Sequence, residues 1–64
     1  MKKDYLIENL RKIMKEKNLS TIGAARFLET SPKQVSRWLN YENKPTMIFR
    51  KAIARGIKRI ERLP

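Results

Sequence analysis

The sequence contains no cysteine and no histidine. The first absence excludes a disulfide framework and fits a reducing compartment; together they remove the usual ligands of a zinc site. Glycine is scarce too, with two residues in 64, and neither belongs to a glycine-rich phosphate loop. The six Asp plus Glu residues show no pairing suited to acid–base or metal chemistry. Neither enzymatic activity nor a metal or other cofactor is therefore expected, and no small-molecule ligand is evident. No apolar run approaches the roughly 20 residues that span a bilayer. The opening MKKDYLIENL resembles a leader only superficially, because Asp4, Glu8 and Arg11 interrupt any apolar core. Strand-like alternation, internal repeats and low-complexity segments are also missing, which leaves helix as the organising element; without cysteine, leader or membrane span, the expected location is the cytoplasm, at the nucleoid if the chain binds DNA.

What the chain has in excess is positive charge. Sixteen Lys plus Arg against six acids give a net charge of +10, so a polyanion is the natural partner, either nucleic acid or an anionic membrane surface. Sixty-four residues make one domain, 1–64, near the size at which a chain buries only about 60% of its unfolded surface. Stability must come from helix packing around a small core.

Helix boundaries are marked by caps. Ser31-Pro32-Lys33-Gln34 combines a hydroxyl cap, a proline at the first helical position and a Gln three residues after the Ser, the pattern of a capping box. From there Val35, Trp38 and Leu39 form an inward stripe on a helix over 32–41, with Trp38 read as core. Ser20 caps a preceding helix, 20–28, whose Ile22, Ala25 and Leu28 are expected to face inward. Only Glu29, Thr30 and Ser31 separate the two helices, and the small Ala25 lets them approach closely. A first helix is predicted from Lys3 or Asp4 to Lys17, burying Leu6, Leu10, Ile13 and Met14, with Asn18 as a left-handed cap and Leu19 folding back. After the polar stretch 40–45, Thr46 caps a last helix to about Arg62, striped by Phe49, Ile53, Ile57 and Ile60. Gly56 interrupts that stripe at a cost of about 1 kcal/mol, so one helix is favoured over two. The expected fold is all-α, a compact bundle of four helices, or five if Gly56 breaks the last.

The chemistry lies on the helix over 32–41. Lys33, Gln34 and Arg37 stand three or four residues apart and project from its exposed side. Arginine donates in a bidentate fork to guanine O6 and N7, and glutamine pairs with adenine in the same way. Lys33 suits guanine or phosphate. For each, the alternative is an ordinary solvated side chain, and for Gln34 an amide retained in the capping box. Phosphate contacts are expected from Thr21 at one helix start, and from Asn40, Asn43, Lys44 and Thr46 around the following loop. Asn40 and Thr46 can serve equally as caps.

The segment Thr21–Asn40, TIGAARFLETSPKQVSRWLN, resembles the helix-turn-helix of the phage repressor and Cro-type regulators. Leu19-Ser20 enters the first motif helix, Ala25 is the small packing residue, and Val35 and Trp38 are the inward positions of the recognition helix. The similarity extends to 38–46 and to the opening helix, covering about Leu6 to Ile57. It implies base-reading positions at Pro32, Lys33, Ser36 and Arg37, and a small transcriptional regulator whose helix 32–41 enters the major groove of an operator. Glu29 and Thr30 depart from the family pattern, which has Gly followed by an aliphatic residue; Glu29 is thereby expected in a left-handed conformation.

Two further expectations concern partners. The stripe's end, Ile57, Ile60 and Leu63, is expected to be exposed and to pair two copies into a homodimer. The competing functional readings are a basic amphipathic protein at an anionic membrane, supported by Met47-Ile48-Phe49 and the basic last helix, and an accessory module that binds RNA or protein.

Overall fold

The computed structural model describes residues 3–64, and among them it shows four α-helices and no strand. They are α1 (Tyr5–Glu16), α2 (Thr21–Leu28), α3 (Pro32–Leu39) and α4 (Met47–Glu61). The all-α bundle agrees with the sequence reading, and α4 runs unbroken through Gly56.

Side-chain caps open three of the helices. The Asp4 carboxylate accepts from the Leu6 N–H at 3.0 Å, Ser20 Oγ from Gly23 N–H at 3.3 Å and Ser31 Oγ from Gln34 N–H at 3.2 Å. The return bond from the Gln34 side chain, the second half of the expected box, is absent among the described residues. Thr46 sits at the cap position of α4 with extended backbone, but its hydroxyl caps nothing.

The helix ends share one device. Asn18, Glu29 and Tyr41 have φ of 56°, 57° and 58°, each reversing the chain after a helix. Behind Asn18, the Leu19 N–H returns to the Met14 carbonyl at 2.8 Å; behind Tyr41, the Glu42 N–H returns to Arg37 at 2.9 Å. For a side chain with a Cβ this conformation costs about 1–2 kcal/mol.

Ile7, Leu10, Ile13 and Met14 of α1, Ala24, Ala25 and Leu28 of α2, Val35 and Trp38 of α3, and Ile53 and Ile60 of α4 make the core. Two inward positions differ from the sequence reading. Ile7 rather than Leu6 is fully buried on α1, and on α2 Ala24 takes the inward place expected for Ile22, which is 58% exposed. A third correction concerns pairing. Ile60 is fully buried within the single chain, and Ile57 and Leu63 are half-buried against the same core. The premise that these three side chains are left exposed for a dimer is therefore wrong, because α4 packs along both α1 and α2 and covers its own stripe.

Gly56 explains how α4 comes so close. A Cβ there would run into a methyl of Leu28 and lie 3.0 Å from the Phe27 carbonyl oxygen, so the α2–α4 approach requires glycine. Gly56→Ala gains about 1 kcal/mol of helix propensity but overpacks a site where such insertions cost about 1–3 kcal/mol. We expect a lower melting temperature; an unchanged or higher one would contradict the close approach. Glu29→Gly removes left-handed strain and is expected to stabilise the fold by about 1 kcal/mol in urea or thermal melts. Ile60→Asp is expected to abolish cooperative unfolding, because it places an unpaired carboxylate in the core; a variant that stays folded and merely loses self-association would restore the dimer reading.

Candidate nucleic-acid interface

Because Val35 and Trp38 are buried, the opposite side of α3 faces outward, and Lys33, Ser36 and Arg37 share it at i, i+3 and i+4. Glu29 in its left-handed conformation swings the chain from α2 into α3, with the Thr30 N–H returning to the Ala25 carbonyl at 3.1 Å. The reversal brings the first turn of α2 beside the first turn of α3.

Between them runs a shallow, open groove. Thr21 and Ile22 of α2 and Pro32, Lys33, Ser36 and Arg37 of α3 line it, together with Glu42. Two helix N-termini thus flank a single groove. Ser20 and Ser31 each satisfy one orphan amide of their helices, while the amides of Thr21, Ile22 and Lys33 lie in first turns, where helices supply no internal acceptor. The positive ends of both helix dipoles add to the charges of Lys33 and Arg37. Neither cation is in an ion pair among the described residues.

Of the four residues expected to read bases, the fold brings Lys33, Ser36 and Arg37 together in this groove and leaves Gln34 outside its lining, half-buried. Of the five expected at phosphate, Thr21 lies in the groove, whereas Asn40, Asn43, Lys44 and Thr46 are exposed along the segment from α3 to α4. Asn40 Nδ2 donates to Ser36 Oγ at 3.4 Å and so leans back on α3. Two groove residues were not anticipated. Helical spacing alone places Ile22 inward, and Glu42 falls in a polar stretch of sequence. Glu42 arrives there because Tyr41 turns left-handed, a conformation that sequence usually signals with Gly or Asn.

The loop behind the groove is fastened to α1. The Tyr41 hydroxyl donates to Glu8 Oε2 at 2.6 Å and accepts from the Asp4 N–H at 3.1 Å. Arg11 donates to the Leu39 carbonyl and lies 3.6 Å from Glu8. Arg50 at the start of α4 grips both carboxylate oxygens of Asp4, at 2.5 and 3.3 Å. The Arg50 guanidinium holds the Asp4 carboxyl below its ordinary value, and the Tyr41 hydroxyl does the same for Glu8. Partial burial, then the Glu8 carboxylate, pushes the Tyr41 phenol up, and Asp4 raises Arg50.

Comparison of the chain with family models, curated proteins and solved structures finds no match.

The carboxylate network fixes a pH dependence. Asp4 and Glu8 titrate below their ordinary 3.8 and 4.5 in the folded chain, so unfolding raises their proton affinity. Their contribution is complete above the unfolded values and is lost as the pH falls through the lower folded ones. The melting temperature is expected to hold from neutrality down to about pH 5 and to fall below it. Tyr41→Phe should flatten part of that fall by removing the bond to Glu8; identical acid profiles would contradict the assignment.

Proposed function

We propose that this protein binds duplex DNA sequence-specifically as a small transcriptional regulator, with α2 and α3 acting as a helix-turn-helix and α3 entering the major groove. The observation that carries the reading is the groove itself: unpaired Lys33 and Arg37 with Ser36 on one exposed helix face, beside the N-terminus of a second helix. With its side chains the eight-residue α3 is a rod about 10–12 Å in diameter, comparable with the width of the B-DNA major groove. The deep, narrow major groove of duplex RNA does not admit such a helix. In this reading Arg37 and Lys33 read base edges and Ser36 adds a hydroxyl donor or acceptor. Thr21 binds the backbone at the N-terminus of α2, and Asn43, Lys44 and Thr46 bind it from the segment beyond α3. Exposed Lys51, Arg55, Lys58 and Arg59 of α4 add long-range attraction without sequence information. Pairing through Ile57, Ile60 and Leu63 is not part of the proposal, since the single chain already covers them.

Selection from random duplex DNA, followed by a salt series on the chosen site, tests this directly. Contacts to about 4–6 phosphates give a log–log slope of affinity against salt of about −4 to −5. Arg37→Ala is expected to cost about 1–3 kcal/mol on the preferred site and relax one base position, whereas Lys44→Ala should weaken all sequences about equally. A flat salt response, or equal affinity for duplex RNA or anionic vesicles, would contradict the proposal.

A further inference from the structure

Ile22 is out of place for a side chain of its chemistry. It is 58% exposed on the first turn of α2, in a groove whose other members, apart from Pro32, are Thr21, Lys33, Ser36, Arg37 and Glu42. Packing sets its position, since Ala24 and Ala25 fill the inward side of α2 and leave Ile22 on the groove side. Pro32 has no N–H and a hydrocarbon ring, so it too offers a neighbour only van der Waals contact. The groove therefore has an apolar element, the second residue of α2 and the first of α3, beside the polar face of Lys33, Ser36 and Arg37.

An occupant must match both parts. It must be anionic or rich in acceptors where it meets Lys33 and Arg37, and must carry a small apolar group where it meets Ile22 and Pro32. Among the base edges in the major groove of DNA, only thymine carries such a group, the C5 methyl. Resting on the duplex-DNA reading above, we propose that Ile22, with Pro32, is a specificity-determining contact for a thymine methyl, so that the sequence is read from α2 as well as from α3. The contact discriminates thymine from cytosine by apolar burial and from uracil by the methyl alone. Burying one methyl group changes affinity about four-fold.

The test uses the full chain and the duplex recovered by selection. Each thymine is replaced singly by deoxyuridine, and affinities are measured for the wild type and for Ile22→Ala, an exposed substitution whose folding is checked by circular dichroism. The wild type is expected to lose about four-fold at one or two thymines, and Ile22→Ala to lose nothing further at those positions. Arg37→Ala should retain the methyl sensitivity. Equal losses for wild type and Ile22→Ala at every thymine, no loss anywhere, or a selected site without thymine near the groove overturns the inference while leaving DNA binding intact. Absence of any preferred duplex overturns the functional reading and this inference with it.

Discussion

Burial of Trp38 sets the rotation of α3, and most of what the surface presents depends on that rotation. The indole is fully enclosed, 5.3 Å from the Phe49 ring with the planes tilted by 57°. Large aromatic surfaces dominate the energetics of a small core, and tilted pairs of this kind add about 0.5–1.5 kcal/mol to the burial itself. Val35, also fully buried, is the second point that fixes the helix. With both turned inward, Lys33, Ser36 and Arg37 have no alternative but the outer face. A turn of α3 by one residue would expose the indole and bury a guanidinium, and each change costs several kcal/mol.

The remainder of the chain holds that helix against its neighbours. α4 packs on both α1 and α2, and Gly56 removes the one side chain that would keep α2 away. α1 contributes little to the groove itself but fastens the loop behind it. Glu8 and Asp4 hold Tyr41, Arg50 holds Asp4, and Arg11 reaches the carbonyl of Leu39. Because these bonds lie on a half-exposed surface, each contributes modestly to stability. Their geometric effect is larger, since Tyr41 in its left-handed conformation determines that Glu42 ends at the groove.

What was legible in the sequence was mostly local. The caps at Ser20 and Ser31, the left-handed Asn18 and the strain at Glu29 are read from residues within one turn of where they act. The four helices follow from apolar periodicity and these punctuation marks. The structure departs from the sequence pattern where the outcome depends on a distant partner. Ile22 and Ala24 both satisfy a helical stripe, and the close approach of α2 to its neighbours favours the smaller side chain inside. The sequence pattern puts Ile60 beyond the reach of three short helices, but α4 packs along both α1 and α2 and lays it against the core. Nothing near Tyr41 in the sequence marks it for a left-handed conformation, because the residues that hold it, Asp4 and Glu8, are more than thirty positions away. Within the groove, Lys33, Ser36 and Arg37 were legible from spacing and resemblance; Ile22 and Glu42 enter only through the tertiary fold.

The proposed function requires that duplex DNA contact the α2–α3 face and not the basic face of α4. Amide NMR of the isotopically labelled protein, titrated with the duplex recovered by selection, measures it residue by residue. The largest shift changes are expected at Thr21, Ile22, Lys33, Ser36 and Arg37, with smaller ones from Asn43 to Thr46 and little change along the outer side of α1. Changes concentrated at Lys51, Arg55, Lys58 and Arg59, with the groove amides unmoved, would contradict it.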